Sequence, residues 1–218
     1  MNPTQVVLTT YDWVPDMPRG HVRDIRIRWL LEEIGRPYRV ETVPLRDKTA
    51  AHFTRQPFGQ VPMIQDGDLS LFESGAILLH LARGTDLLPS GDDGARVMQW
   101  VIAALNSIET FSIPWLVARF MDQNEAAAAR QEELLRPRLS QVQDALQDRD
   151  WLVGDRFTVA DLLMAEILRI PAGAGLLDDL PRLAGYLERA TSRPAFTNAL
   201  ADHMAHWQAA DQTQSAPA

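Results

Sequence analysis

The chain has 218 residues, 46% hydrophobic and 23% charged, a balance that supports a globular core in one large domain or two small ones. Acidic residues outnumber basic ones 29 to 21, for a formal charge of −8, which disfavours the nonspecific nucleic-acid binding that basic residues support by displacing counterions. Zero cysteines exclude disulfides, thiolate metal sites and a cysteine nucleophile; charges interrupt each apolar run, no basic-then-apolar leader is read, and the expectation is a cytoplasmic chain with no membrane or nucleic-acid partner.

Residues 5–11 (QVVLTTY) are β-branched and apolar, as in a buried strand. A loop rich in Pro and Gly follows over 12–20. Residues 22–34 then show helical spacing, with Val22, Ile25, Trp29 and Leu30 on one stripe and Gly35 as the stop. Residues 38–43 (YRVETV) alternate as a second strand, and strand, helix, strand in so short a span implies a parallel βαβ unit. A short helix is predicted over 48–55, and two short strands over 62–65 and 69–72 around an Asp66-Gly67-Asp68 turn. Another helix covers 73–82. A small mixed sheet covered by helices satisfies this order.

Residues 84–94 are rich in Gly, Pro and Asp and read as a linker. Beyond them helical patterns dominate, over 95–120, 125–147, 159–170, 181–191 and 194–204, with Pro114 and Pro137 expected to kink or restart two of them. Thr158-Val-Ala-Asp161 fits a capping box flanked by a Phe157 and Leu162 staple. Residues 211–218 read as a loose tail. His203 and His206 share a helix face without an acidic or thiol partner, so a solvated helix end is expected and no metal.

Gln56-Pro-Phe-Gly-Gln-Val-Pro-Met and Leu71-Phe-Glu-Ser-Gly-Ala together resemble the glutathione-binding half of cytosolic glutathione transferases. Residues 151–161 (WLVGDRFTVAD) resemble the capping-box segment of the helical domain in the same superfamily. The resemblance implies an α/β thioredoxin-like N-terminal domain over 1–83, the linker at 84–94, an all-α C-terminal domain over 95–210 and a flexible tail at 211–218. It also implies a homodimer with the first long helix of the second domain in the interface.

From the resemblance, the bond before Pro62 is expected to be cis, with Val61 offering its backbone to the cysteinyl part of glutathione. Glu73 and Ser74 stand where a helix begins, so Ser74 and the helix terminus suit a carboxylate while Glu73 suits an ammonium, and a γ-glutamyl group carries both. Gln60 is a candidate for the peptide, and Lys48 and His52 for the glycine carboxylate. The thiol-activating group is sought near the first βα loop, Thr10-Tyr-Asp-Trp-Val-Pro-Asp-Met-Pro-Arg-Gly-His21. Extra residues part Tyr11 from the Arg-Gly entering the helix, and no serine or cysteine is present. Tyr11 and Arg19 therefore stand level as thiolate stabilisers, with His21 third. Arg26 and Arg28 are read as pairing with nearby acids or covering the helix surface. Trp13, Phe111, Trp115 and Phe120 are candidates to line the site of a small hydrophobic electrophile. The implied activity is glutathione S-transfer with glutathione as co-substrate. The alternatives are a cysteine-free, glutathione-dependent disulfide or peroxide oxidoreductase, or a non-catalytic interaction protein.

Overall fold

The computed structural model describes residues 5–215. It divides into two compact units, one joining Met1–Ala82 to Arg193–Ala218 and the other comprising Arg83–Ser192.

In the first unit the elements follow the order read from sequence: Val6–Tyr11 (β1), Asp24–Glu33 (α1), Tyr38–Val43 (β2), Ala50–Arg55 (α2), Met63–Asp66 (β3), Leu69–Phe72 (β4) and Ser74–Leu81 (α3). The four strands form one sheet in the order β2-β1-β3-β4. β1 runs parallel to β2, with Tyr11 opposite Val43, and antiparallel to β3, with Leu8 opposite Ile64. Buried Val6, Leu8, Met63 and Ile64 carry the sheet's side of the core.

Helix α1 is buried from Asp24 to Leu31, not along one stripe. Three of those residues are charged, Asp24, Arg26 and Arg28, and buried charges need partners. Asp24 and Arg28 pair with each other and with the last helix, while Arg26 reaches Ser74. Sequence spacing predicts that helix to stop at 204 with a loose tail from 211, but it runs over Pro194–Ser215 (α9) and belongs to the first unit rather than the helical one. Residues 216–218 lie outside the described residues. The continuation is held because the side chains at 206 and 211 find partners on the loop after β1, described below.

His203 on α9 is buried, not solvated, and its Nε2 lies 3.3 Å from Asp24 Oδ1. Arg28 Nε donates to Asp24 Oδ2 at 2.8 Å. Arg28 also donates to Asp202 of α9, whose Oδ2 accepts from the Tyr38 hydroxyl at 2.9 Å. At the other end of the contact Arg193 bonds Glu33 twice at 2.6 Å, and Trp29 packs on Phe196 at 4.7 Å between ring centroids. Burial alone would push the Asp24 carboxyl up, but His203 and Arg28 outweigh it and hold it at about 2.

The second unit contains Gly91–Ala103 (α4), Thr110–Leu116 (α5), Glu125–Leu146 (α6), Val159–Gly173 (α7) and Pro181–Thr191 (α8). A wide π-helical turn at Ala104–Glu109 joins α4 and α5 into one run, which a second at Val117–Met121 continues. Pro114 lies between the two turns without breaking the run, and α6 passes through Pro137 without restarting. Looser i→i+5 turns absorb the amide that Pro114 lacks. The run Gly91–Met121 is long and apolar enough to cross a membrane by length and composition, contrary to the expectation that charges interrupt every such stretch. Glu109 is the sole charge between Val97 and Ala118. Val97, Val101, Ala104, Ile108 and Trp115 of this run are buried, the use a core helix makes of its apolar residues.

The capping box at the start of α7 is present. Asp161 accepts from Leu152 N at 2.8 Å, Thr158 N at 2.9 Å, Thr158 Oγ1 at 2.8 Å and the Tyr186 hydroxyl at 3.1 Å. Trp151 packs edge-on against Phe157 and Tyr186 beside it.

Two outcomes are expected. Asp161→Ala strands four buried donors and should cost about 3–5 kcal/mol by thermal or urea unfolding. Asp24 has a folded-state value below the ~3.9 of an unfolded aspartate, so its contribution is present above that pH and lost as pH falls from about 4 to about 2. Wild-type protein should therefore lose about 2–3 kcal/mol more than Asp24→Asn between about pH 5 and pH 2 in urea titrations. Parallel pH curves would assign the acid sensitivity to other carboxylates.

Candidate functional site

The turn before β3 is built from its own sequence. Gln56 is buried, and its Oε1 accepts from Phe58 N at 2.6 Å. Gly59 has φ +67°, and a Cβ there would stand 2.8 Å from Phe53 Cε1, so both the backbone and the space call for glycine. The chain then enters β3 through a cis Val61–Pro62 bond, as the resemblance implies. Val61 packs in a buried cluster with Val14, Val22 and Trp207, against which Tyr11 also lies, while Gln60 is exposed.

Glu73 precedes α3 with φ 67° and ψ 112°, outside the comfortable region for a residue with a side chain, and its carboxylate is exposed. Ser74 is buried at the first position of the helix. Arg26 of α1, itself buried, donates from NH1 to Ser74 Oγ at 3.1 Å. The Ser74 oxygen is thereby used as an acceptor and its hydrogen is left to donate. A guanidinium sits beneath the positive end of a helix, an arrangement suited to a carboxylate.

Tyr11 ends β1 half-buried. The His206 Nε2–H donates to its carbonyl oxygen at 2.9 Å, and Lys48 Nζ stands 5.0 Å from its ring centroid. Burial raises the Tyr11 phenol above its ordinary value, against the opposing charge of Arg23, so it stays protonated at neutral pH. Lys48 Nζ donates to Leu45 O at 2.6 Å. His52 is buried inside α2 rather than on the surface, and burial and then Lys48 lower its pKa, against a raising contact with the Gln60 backbone. A neutral, buried imidazole is a poor partner for a carboxylate.

Arg19 is fully engaged. Its NH1 and NH2 donate to Asp211 Oδ2 and Oδ1 at 2.6 and 2.7 Å, and its Nε and NH2 donate to Val14 O at 3.2 and 3.0 Å. Asp16 lies 3.2 Å from NH1 as well. Trp13 Nε1 donates to the same Asp211 at 2.8 Å. His21 is part-exposed at the end of the loop, its amide donating to Pro18 O at 2.9 Å.

Residues 7–83 match the family model "Glutathione S-transferase, N-terminal domain", and residues 97–194 match "Glutathione S-transferase, C-terminal domain". A glutathione S-transferase of Hyoscyamus muticus is 32% identical over 180 residues, covering 73% of this chain and 85% of that protein. Glutathione S-transferase 3 of Zea mays is 30% identical over 198 residues, covering 81% and 88%. The chain belongs to the glutathione S-transferase family. In fold it is also similar to a glutathione transferase family member from Pseudomonas fluorescens, solved with two glutathione molecules bound. That match has a TM-score of 0.78 at 24% identity, over 91% of this chain and 93% of the other.

The transferase fold brings Tyr11, Lys48 and Val61 together in the first unit and places Ser74 on Arg26. Phe111 and Trp115 fall in the helical unit. Arg138 lies 4.9 Å from the Phe111 ring centroid, and Trp115 Nε1 donates to Glu132 at 3.3 Å while its ring meets Phe120 edge-on. Trp115 and Phe120 line a cavity of about 390 Å³ with Arg119, Glu132, Arg136 and Leu176.

Sequence reasoning missed three contributors: Gln56 as the brace of the turn, Arg26 as the partner of Ser74, and Asp211. Helical spacing carried a signal for Arg26, which stands four residues after Val22 and four before Leu30, on the apolar stripe. No local pattern distinguishes Asp211. Among the described residues no group of His, Asp and Glu could hold a metal ion.

Glu73→Gly removes the left-handed penalty and is expected to raise stability by about 1 kcal/mol in thermal unfolding. A loss of stability instead would show that the Glu73 carboxylate, not its backbone, governs that position.

Proposed function

We propose that this chain is a glutathione transferase that holds glutathione over the α3 N-terminus and the Val61–Pro62 turn and activates its thiol with the Tyr11 hydroxyl. The observation that carries this reading is the buried Arg26 bonded to Ser74 Oγ at the start of α3. Ser74 then offers its hydrogen to the γ-glutamyl carboxylate with a cation directly behind it, and the exposed Glu73 carboxylate takes the ammonium. Val61 supplies backbone to the cysteinyl residue, Gln60 meets the peptide, and Lys48 keeps two hydrogens for the glycine carboxylate. His52, neutral and buried, is left out of that role.

Tyr11 is favoured over Arg19 because every guanidinium nitrogen of Arg19 already donates within the protein and Asp211 neutralises its charge. His21 remains third. A protonated phenol donates one hydrogen bond to the thiolate, worth about 1.5–3 kcal/mol to a charged acceptor, and lowering a thiol by two units requires about 2.7 kcal/mol. The thiol proton passes to water, and the sulfur bonds an electrophilic carbon to give a thioether. Trp13 of the first unit is assigned to an apolar electrophile site. A homodimer is supported by exposed Met98 and Ile102 on α4, and a cytoplasmic location goes with the same reading.

The chain has no cysteine, so thiolate ultraviolet absorbance in a complex with glutathione belongs to the ligand alone. Titrated in this way, the wild type should hold the thiol below its free pKa. Tyr11→Phe should raise the bound value by about one to two units with affinity little changed. Ser74→Ala should weaken glutathione binding about tenfold, roughly 1.4 kcal/mol, with melting nearly unchanged. Binding without a lowered thiol pKa would assign the chain to non-catalytic binding and remove Tyr11 from its role.

A further inference from the structure

The end of α9 lies against the loop that follows β1. Three side chains make this junction, and each reaches a different part of the loop. His206 donates to the Tyr11 carbonyl at 2.9 Å. Asp211 accepts from the Trp13 indole at 2.8 Å and takes the Arg19 guanidinium in a two-pronged pair at 2.6 and 2.7 Å. Trp207 lies in the cluster of Val14, Val22 and Val61. Arg19 in turn donates twice to Val14 O, so a single carboxylate organises the loop at Trp13, Val14 and Arg19. The Asp211 carboxyl is held at about 2, first by Arg19 and then by Trp13, and it is therefore charged at any working pH.

The loop has a reason to need such a tie. From Asp12 to Gly20 it contains two prolines, Pro15 and Pro18, exposed Asp16 and Met17, and no regular structure, yet it leaves directly from the strand end that carries Tyr11. A loop without regular structure takes its position from what packs on it as well as from its own bonds, and here those bonds run mostly through Arg19. Bidentate guanidinium–carboxylate geometry fixes orientation as well as distance.

We propose that Asp211 is a positioning residue for thiol activation: by clamping Arg19 and Trp13 it fixes the loop that leaves Tyr11, and so fixes where the Tyr11 hydroxyl meets the glutathione sulfur. It acts through other residues and touches no reactant. Arg19 and Trp13 are its targets rather than independent groups, which gives Arg19 a function without making it the thiolate donor. The inference rests on the reading of Tyr11 as the thiol-activating group.

The test is the same ultraviolet titration of bound glutathione, joined to calorimetric binding of glutathione and to thermal melting. Asp211→Asn and Asp211→Ala should raise the bound thiol pKa by about one unit, roughly tenfold less thiolate at a fixed pH, while glutathione affinity stays within about threefold. Asp211→Glu should recover part of the shift. Arg19→Ala should reproduce it, and Arg19→Ala with Asp211→Ala should add little beyond either alone, as expected for two halves of one contact. Asp202→Asn is the matched control, since it cuts a different tie of α9, to Arg28 and Tyr38. It should lower stability and leave the thiol pKa at the wild-type value. An unchanged thiol pKa in both Asp211 variants would overturn the inference while leaving Tyr11 in place. An equal rise in Asp202→Asn would overturn it too, because general loosening of α9 would then be enough. A wild-type complex without a lowered thiol pKa would remove the reading of Tyr11 itself, and the positioning role with it.

Discussion

A carboxylate with no solvent exposure sits near the start of α1, and the first unit is arranged around keeping Asp24 paired. Water cannot serve a group so placed, so partners within the protein must: Arg28 lies four residues along the same helix, and the His203 imidazole comes from the far end of the chain. His203 therefore commits α9 to α1. Once that helix is docked, its continuation is aimed along the first unit, and His206, Trp207 and Asp211 reach the loop after β1. Removing a partner from a buried charge costs more than the contact itself contributes, which makes the docking specific as well as favourable.

The charged residues of α1 are divided between two tasks. Arg28 faces α9 and is neutralised by Asp24 and Asp202, whereas Arg26 reaches Ser74 at the start of α3. A chain with a formal charge of −8 thus presents a locally positive place where a helix terminus and a buried guanidinium coincide. The charge of that place does not depend on surface lysines, which salt would screen, because its cation is buried.

Most of the fold was legible because its signals are local. Strand alternation at 38–43, the Asp-Gly turn at 66–67 and the capping box at Thr158 and Asp161 each lie within a few residues, and the structure has all three. The turn into β3 was legible through Gly59 and Pro62, which lie in the run that carries the family resemblance, whereas its Gln56 brace was not. What escaped depends on partners far along the chain. The stretch after Met204 is polar and carries no helix stop or start, and Asp211 became helical through bonds to residues almost two hundred positions earlier. His203 looked solvated because its acidic partner lies on α1. Pro114 looked like a break because spacing does not reveal the wide turns on either side of it.

The same distance effect separates the surroundings of the two groups that stood level for thiol activation. On sequence alone Arg19 is a cation at the mouth of a helix, and its charge is an argument in its favour. In the fold that charge meets a carboxylate in two-pronged contact, with the remaining donors turned to Val14 O, so little of its field or hydrogen-bonding capacity reaches a thiolate. Tyr11 stands the opposite way: burial keeps its phenol protonated, and α9 takes hold of its carbonyl rather than its hydroxyl. A neutral donor held by its backbone can be aimed without being consumed, whereas an arginine held by its guanidinium cannot. In the function proposed above, the cation that looked like the reagent is part of the frame, and the phenol is the reagent.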